Sequence, residues 1–177
     1  MKILLFVVSC FLGFNAFSQV EVRASVTLNP AGDFVATIKS NSGQVIFENQ
    51  KLTIPNLTLD LNTLVTGLSL RDDHAKNKYL EVKKYPTAVL SDIKAENGKG
   101  VGLLQIRDKK AKVSGTYKLS TDQKQIVAEF KIKLSDFGIE DINYKGIGVE
   151  DEVAIEARIN VTKENSHQQR PAANRKK

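Results

Sequence analysis

The sequence predicts an all-β fold with one short helical segment. Three observations carry this reading. Apolar and polar residues alternate along eight or so stretches, turn-forming residues separate those stretches, and the rhythm changes to steps of three and four only near residues 71–83. Alternation puts successive side chains on opposite faces, so each stretch reads as a strand with one buried face. Strands in this number with no long helix build a sandwich or a barrel, and the period alone does not choose between them.

In chain order, residues 1–18 read as an export signal outside the fold. Lys2 gives the positive start, residues 3–14 the apolar run and Ala16-Phe17-Ser18 the cleavage site, so the mature chain is expected to begin at Gln19 in the periplasm. About twelve apolar residues are too few to cross a bilayer as a helix, which takes roughly 20. Cys10, the one cysteine of the 177 residues, lies inside this signal, so the mature fold rests on its core and not on a disulfide. A chain of this length buries roughly 70% of its unfolded surface, enough for one domain, here 19–162. The formal charge is +6, but Lys2 leaves with the signal, and from Lys163 onward five Lys/Arg stand against Glu164, leaving the body near +1. Such a body gives no electrostatic case for nucleic acid. The basic segment 163–177 lacks apolar periodicity and is expected to be disordered, either solvated or in transient contact with an anionic membrane surface.

Within the body, Val20, Val22, Ala24, Val26 and Leu28 face one way, with Glu21, Arg23, Ser25 and Thr27 opposite. Asn29-Pro30-Ala31-Gly32-Asp33 is a turn, Phe34, Ala36 and Ile38 resume the inward row, and Asn41-Ser42-Gly43 turns the chain again. The pattern returns in Val45 and Phe47, in Leu57, Leu59 and Leu61, in Val101 and Leu103, and in Val113, Gly115, Tyr117 and Leu119. It is longest over 126–134 and 153–161. Small inward residues (Ala24, Ala36, Gly115, Ala128, Ala157) leave volume along a barrel axis unless Phe34, Phe47 and Phe130 close it.

In the exceptional stretch, Ala75, Tyr79 and Val82 recur at helical spacing. Ser69 or Asp72 is available as cap, Asp72 and Asp73 suit the positive end, Lys83 and Lys84 the other, and Pro86 stops the helix. Catalytic motifs are lacking: there is no G-x-S-x-G or H-E-x-x-H, and the histidines are His74 and His167. Asp72 and Asp73 are helix neighbours pointing about 100° apart, which suits neither a triad nor a metal. The expectation is a protein that is not an enzyme and holds no metal.

Residues 70–90, LRDDHAKNKYLEVKKYPTAVL, together with Leu134-Ser135-Asp136-Phe137-Gly138-Ile139, Gly148-Val149 and Asp151-Glu152-Val153-Ala154-Ile155, resemble the paired signatures of the YceI-like proteins. An opening aspartate and His-Ser pair are missing near Val20, and Lys133-Leu134-Ser135 stands where an arginine often precedes the second signature, so the chain looks like a divergent branch. The resemblance implies a lipocalin-like, antiparallel eight-stranded barrel, exported, holding a polyisoprenoid, an isoprenoid quinone or a fatty acid or amide. Homodimers suit such a barrel. Tyr79, Leu80 and Tyr85 resemble positions near the entrance. There Arg71 and His74 either recognise a polar head group or serve the fold, Arg71 through a salt bridge to Asp72, Asp136 or Asp141 and His74 through a hydrogen bond anchoring a loop. Phe34, Phe47, Tyr117, Phe130 and Ile155 are expected along the interior, with Phe137 and Ile139 plugging one end. The alternative is an exported structural or stress-response protein with a filled core, acting through its surface.

Overall fold

The computed structural model describes residues 18–42, 45–48, 51–54, 56–122 and 124–161. The export signal, apart from Ser18, and the basic segment 163–177 lie outside them. In order come β1 (Ser18–Asn29), β2 (Gly32–Ser42), a small hairpin of β3 (Ile46–Glu48) and β4 (Lys51–Thr53), and β5 (Asn56–Asp60). After a long connection follow β6 (Thr87–Glu96), β7 (Lys99–Ile106), β8 (Lys109–Leu119), β9 (Gln125–Lys133), the hairpin β10 (Asn143–Tyr144) and β11 (Ile147–Val149), and β12 (Glu152–Asn160).

All twelve strands belong to one antiparallel sheet, in which eight run in the order β2-β1-β12-β9-β8-β7-β6-β5 while the β3–β4 hairpin pairs with β6 and the β10–β11 hairpin with β1. The sheet curls until its two edges meet. At this seam the ladder is replaced by isolated bonds that satisfy edge groups otherwise open to another chain. Thr37 and Val65 exchange two backbone hydrogen bonds of 2.8 and 2.9 Å, the Lys39 N–H donates to the Thr63 hydroxyl at 3.1 Å, and the Ser40 hydroxyl donates to the Thr58 carbonyl at 2.9 Å. The result is the barrel that the family resemblance implies.

Alternation decides what faces in. The rows read from β1, β2, β9 and β12 point inward as expected, with Val20, Ile126 and Ile159 almost wholly buried. On β7 the phase is reversed. Leu104 and Ile106 are buried, while Val101 is 40% exposed, because the inward positions beside it are Gly100 and Gly102 and carry no apolar signal. β6 changes phase midway: Asp92, at φ +51°, and Ile93 oppose the single residue Gly102 in a bulge, so Ala88 and Leu90 on one side and Ile93 and Ala95 on the other all face inward. A Cβ on Gly102 would crowd the Ser91 carbonyl oxygen at 3.2 Å, so glycine lets the bulge seat. β2 runs on through Asn41 and Ser42, where the sequence reads a turn, and Gly43 lies outside the described residues.

The connection between β5 and β6 holds the helix, with differences from the expected form. One α-helical turn, α1 (Ser69–Asp73), runs directly into a π-helical turn over His74–Tyr79, so the segment starts earlier than expected and stops well before Pro86. Neither Ser69 nor Asp72 caps it; the cap position is Leu68, without a side-chain bond. Asp72 instead accepts from the Thr66 N–H (2.7 Å) and hydroxyl (2.5 Å), tying the helix back to the loop before it. The Leu80 N–H donates to the Ala75 carbonyl, five residues back, and Glu81 turns the chain out at φ +51°. The Leu61 N–H donates to the Pro86 carbonyl at 2.9 Å, so the excursion leaves and rejoins the sheet at one point. Arg107 fixes its far end through the Glu81 carboxylate and, at 3.2 Å, the Gly138 carbonyl.

Two stability outcomes follow from these contacts. Gly115→Ala on β8 would drive a Cβ into the Glu129 carbonyl oxygen and to 2.6 Å from the Phe130 Cβ. The expected cost is about 1–3 kcal/mol, read as a thermal midpoint lower by roughly 3–10 °C. Thr66→Val removes a donor from Asp72, whose carboxyl lies below its ordinary 3.8 chiefly through the Thr66 hydroxyl. A lowered carboxyl adds stability above its unfolded value and loses it as pH falls through the folded one. Thr66→Val is therefore expected to cost about 1 kcal/mol near neutrality and to flatten the loss of stability below about pH 4. Urea titrations across that range check both.

Candidate functional site

Inside the barrel lies a cavity of about 690 Å³. Every main strand but β8 contributes to its wall, as do the helical connection and the β10–β11 hairpin. The side chains that the long strands place on it are aliphatic or phenylalanine: Val22 and Ala24 on β1, Phe34 and Ala36 on β2, Phe130 on β9, Ile155 and Ala157 on β12 are typical. A second void of about 80 Å³ sits beyond it, bounded by Ile54, Val113, Tyr117 and Ile126. Leu57, Leu90, Phe130 and Ala157 border both, so they form the constriction between them. Phe34 and Phe130 therefore do not close the axis.

Polar side chains reach the larger cavity at one end only. They are Thr66, Ser69, Arg71, His74, Tyr79 and Tyr144, all from the helical connection or β10. Leu68 and Leu70 line the same end while being 59% and 56% exposed, which makes this the mouth. Arg71 is the one charged residue on the wall among the described residues. Its guanidinium carbon stands 3.8 Å from the centroid of the Phe34 ring, and its Nη2 donates to the Thr66 carbonyl at 2.8 Å. Its Nε is buried with no hydrogen-bond partner. No salt bridge from Arg71 to Asp72, Asp136 or Asp141 is formed among the described residues. Across the mouth, the His74 ring meets Tyr144 edge to face at 5.4 Å, joining the helical connection to the hairpin.

Of the residues read from the sequence, Arg71, His74, Tyr79, Leu80, Phe34, Phe130, Ile139 and Ile155 border this cavity, and Tyr117 borders the smaller one. Tyr85 does not. Its ring lies outside, 4.8 Å from the Lys84 ammonium and 6.0 Å from the Arg107 guanidinium, because the chain has turned at Glu81 before reaching it. Phe137, 1% exposed, is packed in the wall beyond the cavity, in a short 3₁₀ turn closed by Gly138 at φ +66°. The side chain of Phe47 lies outside the described residues. Asp73 accepts from the Asn77 amide at 2.6 Å, and no group of three potential metal ligands gathers among the described residues.

The sequence reading missed Leu64, Leu68, Leu70, Ile142, Tyr144, Ile147 and Val149, all on the cavity wall. Their signal was there to find. Leu64, Thr66, Leu68 and Leu70 alternate, and Lys145-Gly146, both at positive φ, is a hairpin turn between alternating apolar pairs.

Two solved structures are similar in fold. BcnA of Burkholderia cenocepacia aligns with a TM-score of 0.61 at 22% identity, over 81% of this chain and 96% of its own. A polyisoprenoid-binding domain from Saccharophagus degradans, implicated in plant cell wall breakdown, aligns with a TM-score of 0.55 at 12% identity, over 82% and 97%. No curated protein matches. The family match, to the YceI-like domain, spans residues 15–161, most of the length, and the chain therefore belongs to the YceI-like family.

Proposed function

We propose that this protein is a periplasmic carrier, exported by its N-terminal signal, that holds one apolar chain molecule in the barrel and performs no chemistry on it. The ligand class is an isoprenoid, an isoprenoid quinone or a fatty amphiphile. The observation that carries this reading is the apolar cavity of about 690 Å³, whose polar side chains gather at its exposed mouth. Its size falls within the roughly 300–1,000 Å³ typical of small-molecule sites. The description of the Saccharophagus degradans domain as polyisoprenoid-binding is in keeping with it. Transient contact with a membrane surface, aided by the basic segment 163–177, would deliver such a ligand, and a homodimer is compatible with it.

Area supplies most of the affinity. Burying about ten methylenes at ~0.8 kcal/mol each gives ~8 kcal/mol gross, before the several kcal/mol lost to association. Chain length is then the main determinant of binding strength. A filled-core protein acting through its surface would need the inner rows to meet across the axis.

Native mass spectrometry of the purified protein, followed by organic extraction, is expected to release an apolar molecule. A protein that arrives empty and takes up no apolar fluorophore would overturn the carrier reading. Ala24→Phe places a ring in the void without touching a polar contact, so it is expected to keep or raise the thermal midpoint while weakening apolar binding at least tenfold. Prolonged incubation is expected to leave the bound molecule unchanged, in wild type and in His74→Ala alike, by mass spectrometry of the extract.

A further inference from the structure

The mouth carries chemistry that chain burial does not use. Resting on the carrier reading above, we infer that the barrel selects a single-chain amphiphile with a carboxylate head, received by Arg71. A guanidinium beside an apolar void is costly unless an acceptor of opposite charge meets it. The nearest acid in sequence makes no ion pair with it: the Asp72 carboxylate accepts from the backbone N–H and hydroxyl of Thr66 and attracts Arg71 only through space. Arg71 itself spends one donor on the Thr66 carbonyl, rests its flat face on Phe34, and leaves its Nε buried and unsatisfied. No Asp or Glu lines the cavity among the described residues, so the wall carries one positive charge and no negative one.

The geometry of the head follows from the same residues. Phe34 and the Thr66 bond hold the guanidinium plane, which preorganises the remaining N–H groups for an acceptor arriving from the void. A carboxylate matches that planar fork and brings one charge for one. A dianionic phosphate fits less well, since Asp72 and Asp73 follow Arg71 directly in the same helical turn. The apolar rim of Leu68 and Leu70 flanks the site, so the head sits at the edge of the void while the chain runs down it.

Displacement of an apolar fluorophore by oleate, oleyl phosphate and oleyl alcohol, each below its aggregation threshold, tests this. Wild type is expected to bind oleate about 10- to 100-fold more tightly than the alcohol, with the phosphate in between. Arg71→Gln is expected to bring oleate to the level of the alcohol measured on the same variant, and Arg71→Lys to keep part of the preference. Equal binding of all three by wild type would overturn the head-group inference and leave the carrier reading standing, and this comparison needs no variant. A preference that survives in a folded Arg71→Gln protein would overturn the role of Arg71. Uptake of the fluorophore with no displacement by any of the three would overturn the head-group inference and leave the carrier reading standing, whereas failure to take up the fluorophore at all would overturn the carrier reading itself.

Discussion

Closure of the sheet at the β2–β5 seam is the constraint on which the rest depends. In a filled core, opposite walls hold each other by dispersion contact. Here they face a void, and residues lining a void forgo those partner atoms. What remains is lateral: the antiparallel ladder and the packing of each inward side chain against its neighbours along the wall. A ladder with free edges would uncurl or recruit another chain. The seam prevents this with few bonds, and two of its residues, Thr63 and Val65, belong to the connection that goes on to form the mouth. The segment that lines the entrance therefore also begins by closing the barrel.

That connection is held at three places. Leu61 and Pro86 join its ends, Asp72 and Thr66 tie its helix to its loop, and Arg107 secures Glu81 against the corner at Gly138. The π-helical turn between these anchors has a geometric effect. A hydrogen bond spanning five residues widens the turn, and Ala75, Tyr79 and Leu80 all border the cavity. Tyr85 ends outside because the chain has already turned away at Glu81.

The strands were legible because alternation is a direct consequence of a sheet with one apolar face. Val20 to Leu28 on β1 and the long rows of β9 and β12 needed nothing more. Legibility failed where the inward residue was glycine. On β7 the outward Val101 and Leu103 supplied the apolar signal in place of Gly100 and Gly102, which reversed the phase. The bulge at Asp92 is likewise invisible in composition, since it depends on one residue adopting positive φ opposite Gly102. Arg71 and His74 were recognised as mouth residues through the family signature. Their actual neighbours, Phe34 and Tyr144, lie far away in sequence, and only the closed sheet brings them together.

Chain and head contribute different things to recognition in such a barrel. The wall offers area without direction, so any flexible apolar chain of suitable length gains nearly the same free energy from it. Discrimination then has to come from the few polar groups at the mouth. One cation among aliphatic side chains is a strong filter there, because a neutral head leaves it unpaired whereas an anionic head satisfies it in a low-dielectric setting. The filter works best if no internal carboxylate forms a direct ion pair with Arg71, and Asp72, the nearest in sequence, bonds to Thr66 instead. The contact that fastens the helix to its loop is thus also the one that keeps the cation available to a ligand.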